Sequence, residues 1–461
     1  MGITVDGWLI RSARERLMIR KSSRREFLTH SAAVGTAWWV GSSTVGRAQP
    51  KSPLETIRFA CIGVDGRGAS DRDDAGRHGE IVALCDVDSE RLEKACARYP
   101  KAKKYTDYRK MYDEIGGEFD AVTVSTPDHS HATAAIRGLR MGKHVFCQKP
   151  LSYTVAEARL MRELAAEKKL CTQMGNHGTA SNGFREAVQL IRRGDLGQVK
   201  EIHIWTDRPK WPQGQGRPEK SEPVPAHLNW DAFLGPAPER PYASAYHPFK
   251  WRGWIDFGTG ALGDMGCHMM NVSVMALQLF TPVSVEAVPD PEWTGEARKE
   301  SYPKFCTVKY EFGPRGDLGP CTLYWYEGGK RPAEELHAPV KQGMSGSLII
   351  GEKGKIFSDN DYHSTFNVLP KEKADGLPKP EITQSPGHFT EFANAIREGK
   401  PELAWSNFEY AGKLTETVLL GNVALRSGGK IEWDGVNLKV TNNPNAQQYV
   451  AREYRKGWEI T

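Results

Sequence analysis

Ile57-Arg58-Phe59-Ala60-Cys61-Ile62-Gly63-Val64-Asp65-Gly66-Arg67-Gly68 is the stretch from which the rest of the chain is read. Its first half is mostly apolar, as befits a strand buried on both faces of a parallel sheet. The glycine-rich turn that follows allows a sharp bend and a close approach of backbone to a pyrophosphate. A helix opening there meets negative charge with free N–H groups. Gly63, Gly66, Arg67 and Gly68 are therefore candidate cofactor-binding residues. The spacing is GxxGxG and not the commoner GxGxxG, so its weight comes from its place between a strand and a helix.

Outward from this turn, strand and helix patterns alternate. Strands are expected at 81–85, 119–125, 144–147 and 170–174, with helices at 88–98, 130–141 and 155–168. Such alternation implies a parallel sheet with helices on both faces. From about Gln198 the pattern changes to strands joined by loops, at 199–206, 305–312, 321–326 and 347–350, and helices return at 388–398 and 407–426. The fold class expected is an α/β Rossmann domain, a doubly wound parallel sheet, plus an α+β domain with an open, largely antiparallel sheet. Residues 207–250, dense in Pro, Gly and Trp, read as a long ordered loop.

Asp86 ends the second strand, eighteen residues beyond Gly68. A carboxylate there accepts hydrogen bonds from ribose hydroxyls and repels a 2′-phosphate, which favours NAD over NADP. Thr126 and Pro127 follow the next central strand, where carboxyl-end loops face a ligand. His131 in the same loop is a candidate hydrogen-bonding group of the site. His129 and His131 lack the further convergent ligands that zinc requires, so no metal is expected.

Of the 461 residues, 39% are hydrophobic and 26% charged, which suits a soluble globular chain. Residues 1–48 hold eight Lys/Arg and three acids, and the remainder is balanced at 54 of each sign. A neutral body argues against a nucleic-acid binder. Ser23-Arg24-Arg25-Glu26-Phe27-Leu28 resembles a twin-arginine export signal, followed by an apolar run to Val45 and a cleavage site at Gly46-Arg47-Ala48. That run is too short for a membrane span. The eight cysteines include no CxxC pair and several lie in strand patterns, so they read as buried thiols. The expected organisation is a signal peptide at 1–48, a linker at 49–55, a nucleotide-binding domain at 56–176, a substrate and oligomerisation domain at 177–435, and a C-terminal extension at 436–461.

Gln148-Lys149-Pro150 closes a strand at the ligand end of the sheet. A lysine there can stabilise an alkoxide, with a solvated surface lysine as the equal alternative. In Gly258–Asn271, Asp264 and His268 are four apart and share a helix face. A histidine that takes a hydroxyl proton beside a carboxylate suits alcohol oxidation, and on spacing alone a capping Asp with a core His reads as well.

These pieces together resemble the Gfo/Idh/MocA oxidoreductases. The shared elements are Gly63, Gly66 and Gly68, then Cys85-Asp86-Val87-Asp88, Thr126-Pro127, Gln148-Lys149-Pro150-Leu151, and Gly263-Asp264 with His268. The resemblance spans roughly 55–435. It implies that Lys149, Asp264 and His268 are catalytic: His268 as general base, Lys149 as electrostatic partner, Asp264 as the orienting group. Gln148 stands where the family usually has Glu, which removes a negative charge beside Lys149.

The expected function is hydride transfer between a tightly bound NAD and a secondary hydroxyl of a sugar, polyol or related compound, in the periplasm, after folding in the cytoplasm. The alternatives are a redox-neutral, NAD-dependent glycosidase and a non-catalytic cofactor-bound binding protein. Expected partners are the small-molecule substrate, the twin-arginine machinery and further copies of the chain in a homodimer or homotetramer. Trp205, Trp211, Trp230, Trp251 and Trp254 offer ring surfaces for a sugar, and His247 and Arg252 are further pocket candidates.

Overall fold

Strands β1 (Ile57–Ile62), β2 (Gly79–Cys85), β3 (Lys103–Tyr105), β4 (Ala121–Val124), β5 (His144–Cys147) and β6 (Thr172–Met174) form a six-stranded sheet, ordered β3-β2-β1-β4-β5-β6, in the computed structural model. The structure describes residues 56–337 and 340–460, so the signal peptide and linker expected at 1–55 lie outside the described residues. Every pairing in this sheet is parallel. Helices α1 (Arg67–His78), α2 (Ser89–Arg98), α3 (Tyr108–Ile115), α4 (Asp128–Arg140) and α5 (Val155–Glu167) link the strands. The order reverses between β1 and β4, which opens a crevice outside their carboxyl ends. Asp88 caps α2 by accepting from the Glu90 and Arg91 amides, and Thr154 and Glu157 form a reciprocal capping box on α5. Each such cap is worth about 1 kcal/mol.

The second sheet has nine strands: β7 (Val199–Trp205), β8 (Ser284–Pro289), β9 (Cys306–Phe312), β10 (Cys321–Glu327), β11 (Gly346–Gly351), β12 (Lys355–Ser358), β13 (Asn367–Leu369), β14 (Ile431–Asp434) and β15 (Lys439–Val440). All its pairings are antiparallel save that of β7 with β10. Side chains along β9 and β10 alternate between buried and half-buried, so one face packs and the other meets solvent.

Later helices include α6 (Asn182–Arg192), α7 (Trp230–Leu234), α8 (Gly260–Met269), α9 (Asn271–Leu277), α10 (His388–Glu398) and α11 (Phe408–Ser427). The long, largely buried α11 packs against α5 and β8 and joins the two sheets. The α10 helix returns to the first sheet. Its Phe389 and Phe392 pack on Phe59 and Phe146, with the Phe146 and Phe389 rings 4.9 Å apart. A fully buried ion pair, Arg185 with Glu391, fastens α10 to α6. The Rossmann core is thus finished by residues far beyond 176.

The stretch 207–250, read as a loop, contains α7 and packs Phe233 and Tyr246 against Trp254 and Phe257, just beyond it, in a small separate apolar core. It is stitched to the exit of β2 by hydrogen bonds from Asn229 N to Val87 O and from Ser89 N to His227 O, both 2.8 Å. The C-terminal segment braces the same insert through Arg455, and the helices α5 and α3 through Arg452 and Trp458. Arg455 donates to Gly235 O at 2.8 Å and Asp231 O at 2.7 Å, and Arg452 donates to Glu157 at 2.8 Å. The Arg109 guanidinium lies 3.6 Å from the centre of the Trp458 ring. All eight cysteines are unpaired and buried.

Candidate active site

A cleft of about 460 Å³ opens at the carboxyl ends of β1, β2, β4 and β5. Gly63 has φ +78°, and a Cβ there would sit 2.5 Å from Ser125 O; a Cβ on Gly68 would sit 2.1 Å from Gly63 O. Gly66 has φ +57° and open space around it, and as the N-cap of α1 it offers no side-chain cap. No acidic residue occupies the first turn of α1. Gly68 N and Ala69 N bond to Asp65 O and Gly66 O, which leaves the Gly66 and Arg67 amides beside the cleft for the pyrophosphate of a dinucleotide. Gly63, Gly66 and Arg67 line the cleft; Gly68 lies behind it as the point of close helix–strand contact.

Asp86 lines the cleft and accepts from Val64 N at 2.9 Å and Asp88 N at 3.0 Å. Each oxygen keeps a lone pair for a ribose hydroxyl. Burial pushes its carboxyl upward, against these backbone amides. Arg91, which sequence reasoning passed over, also lines the cleft. Its guanidinium is held by Asp65 at 3.0 Å and Asp88 at 3.2 Å. Two carboxylates thus neutralise the cation nearest the ribose end, in keeping with NAD over NADP.

Thr126, Pro127, Gln148 and Lys149 line the cleft, and His131 does not. His131 is buried, with Nδ1 2.7 Å from Pro150 O and Nε2 2.8 Å from Thr126 O. This corrects its expected place. With both ring nitrogens on backbone carbonyls, it ties the β4 and β5 exit loops together from behind. His129 is spent in the same way on Phe257 O and Phe233 O. The pair that invited a metal reading is structural.

Lys149 Nζ donates to Asp264 Oδ1 and to Asp264 O, both at 2.8 Å. Arg252 Nε lies 3.5 Å from the same Oδ1. Burial drives the Asp264 carboxyl upward, but Lys149 and Arg252 outweigh it and hold it below the usual range. Asp264 and His268 both lie on α8, as the spacing predicted. They part company there. Asp264 faces the cleft, whereas His268 lies beyond its wall, where its ring meets His177 and Tyr362 at centroid distances of 5.7 and 5.0 Å. His268 Nδ1 is buried without a hydrogen-bond partner. Burial, then the charge of Lys149, holds its pKa well below the ordinary value, so the ring is neutral at pH 7.

Sequence reasoning missed His177 and Tyr362. His177 follows β6 at the ligand end of the sheet, and that position was its only signal; Tyr362 arrives from the β12–β13 connection. Of the five tryptophans, Trp251 lines the cleft, beside His247 and Arg252. Trp205 and Trp254 are core residues, Trp211 is buried with its indole N–H on Gln213, and Trp230 stacks on Phe233.

Residues 57–176 match the oxidoreductase family's NAD-binding Rossmann fold, and residues 204–311 match its C-terminal alpha/beta domain. Both stretches thus match models of one family, the Gfo/Idh/MocA oxidoreductases. Among curated relatives, inositol 2-dehydrogenase of Salmonella typhimurium is 30% identical over 128 residues, 27% of this chain and 37% of the relative. A glycosyl hydrolase family 109 protein of Saccharopolyspora erythraea is 30% identical over 202 residues, 38% of this chain and 44% of the relative. The chain thus matches less than half the length of either relative. The WlbA dehydrogenase from Bordetella pertussis, solved with NADH and UDP-GlcNAcA, superposes with a TM-score of 0.56 at 17% identity, covering 82% of this chain and 99% of that one. An inositol dehydrogenase homolog from Azotobacter vinelandii, solved with NADH and myo-inositol, gives 0.54 at 16% identity, over 82% and 98%. At such identities the likeness is one of fold.

Proposed function

We propose that this Gfo/Idh/MocA chain oxidises or reduces a secondary alcohol of a sugar, polyol or related compound with a tightly held NAD. The observation that carries this reading is the Lys149–Asp264 pair at 2.8 Å, set in the wall of the cleft that the glycine turn opens. Bound NAD supplies the two-electron acceptor at the reacting carbon. The chain's own groups do the rest. Lys149 donates a hydrogen bond to the substrate hydroxyl and stabilises the developing alkoxide. Asp264 fixes the ammonium and takes a hydrogen bond from a neighbouring hydroxyl. The base proposed to receive the proton is His268, which lies buried behind the cleft wall, so its assignment rests on its neutral ring and on the helix it shares with Asp264. Ala232, Phe233 and His247 of the insert line the cleft, and Arg455 braces the insert from behind, which supports slow cofactor loss.

A second reading draws on the glycosyl hydrolase family 109 relatives: redox-neutral removal of a sugar substituent with NAD regenerated in each turnover. Denaturing the purified protein and identifying released nucleotide, before and after incubation with sugars and polyols, tests both. NAD that becomes NADH with one compound class supports the dehydrogenase. Release of a chromogenic aglycone without NADH supports the second reading. Failure of both, with His268→Ala changing no turnover, leaves a cofactor-bound binding protein. Export through the twin-arginine pathway to the periplasm and assembly into a homodimer or homotetramer complete the proposal. Cell fractionation with Arg24 and Arg25 replaced by Lys, and light scattering of the mature protein, test these.

A further inference from the structure

Asp71 lies in a run of charges, Asp71-Arg72-Asp73-Asp74, that reads as a solvated helix face. The structure buries it completely under the glycine turn. Its Oδ2 accepts from Ser125 Oγ at 2.7 Å and from Gln148 Nε2 at 2.8 Å. Its Oδ1 has no hydrogen-bond partner and lies 3.3 Å from Arg67 Nε. One carboxylate therefore gathers three cleft-lining residues, Arg67 after β1, Ser125 after β4 and Gln148 after β5. A buried carboxylate held by one cation and two donors is costly unless the geometry is kept. Nothing in the proposed chemistry uses it directly.

We propose that Asp71 is the positioning residue of the cofactor site, fixing the Gln148 amide and the Arg67 guanidinium from beneath the cleft. An ionised carboxylate accepts only, so it turns the Gln148 amide one way: Nε2 inward to Asp71, Oε1 outward towards the Lys149 amide 3.4 Å away. Gly175 leaves room for this, since a Cβ there would strike the Gln148 amide at 2.5 Å. The same geometry accounts for glutamine at 148. A glutamate would place two carboxylates in hydrogen-bond contact, and like charges that close cannot both ionise. The negative charge of the site floor sits on α1, one layer below the cleft, and Gln148 passes its orientation on.

The proposal rests on NAD occupying this cleft. The test is a mutant cycle on the mature full-length protein: wild type, Asp71→Asn, Gln148→Glu and the swap carrying both, with NAD dissociation constants from calorimetry and Tm for each. Each single variant is expected to weaken NAD by about tenfold or more. The swap restores one carboxylate and one amide, and is expected to recover to within about threefold of wild type. Losses that simply add in the swap, or an Asp71→Asn variant that binds as wild type does, overturn it. If Asp71→Asn does not fold, the swap against Gln148→Glu decides, and a swap that binds no tighter sinks the proposal. Wild type that binds no NAD removes the functional reading itself, and the positioning role with it.

Discussion

Lys149 and Asp264 share a 2.8 Å contact in a partly desolvated wall, so altering Asp264 leaves Lys149 without its carboxylate and altering Lys149 leaves Asp264 with Arg252 alone. Lys149→Met is expected to cut kcat by about a hundredfold or more while NAD stays bound, because the lost interaction is one made to developing charge. Equal losses of NAD affinity and turnover would instead mark Lys149 as a cofactor anchor. His268 makes a separate prediction. Burial lowers its pKa well below the ordinary 6.5, so it stays neutral until the pH has fallen far below that point. The acid limb of kcat is therefore expected well under pH 6.5 and should vanish in His268→Gln. An acid limb unchanged in that variant assigns the base elsewhere. At this scale the sequence was legible where chemistry is written locally. Gly63 and Lys149 sit in contiguous motifs. Asp71, Arg91, His177 and Tyr362 acquire meaning only when distant segments converge, and Asp71 was camouflaged by its charged neighbours. His131 shows the reverse, since a site-like pair of histidines proved to be spent on backbone carbonyls.

At the scale of elements, β1, β2 and β5 were readable because burial on both faces enforces unbroken apolar runs. Strands β3, β13 and β15, of two or three residues, fall below any periodicity and are held in place by their neighbours. The insert was unreadable for a related reason: its aromatic cluster is ordered by contacts, not by a repeat. Strand β10 carries its own prediction. Glu327 at its end is buried, with its Oε2 accepting from Trp325 Nε1 at 2.8 Å, and burial pushes its carboxyl up to about 8. The folded pKa exceeds the unfolded one, so the group favours the fold at low pH and that contribution is lost as pH rises towards 8. Glu327→Gln keeps an acceptor for Trp325 and removes the titration. It should gain on wild type by on the order of 2 kcal/mol between pH 6 and 9. Parallel stability profiles across that range would show that Glu327 is already ionised in the fold.

Across the whole molecule, one wall of the cleft is the mid-chain insert, and the C-terminal segment braces that insert from behind. Ending the chain after Val450 removes Arg452, Arg455 and Trp458 together. The expected result is NAD dissociation faster by roughly tenfold or more, with little change in the far-ultraviolet spectrum, since the lost groups contact the insert, α3 and α5 and not the sheets. Unaltered dissociation in stopped flow would assign cofactor retention to the glycine turn alone. The return of α10 to the first sheet has a consequence in time. Phe59 and Phe146 leave the ribosome long before Phe389 and Phe392, which cover them. At ordinary synthesis rates the gap between Met174 and His388 lasts roughly 10–40 s. Throughout that interval the nascent chain shows an uncovered aromatic surface, a standing demand on whatever chaperones meet it.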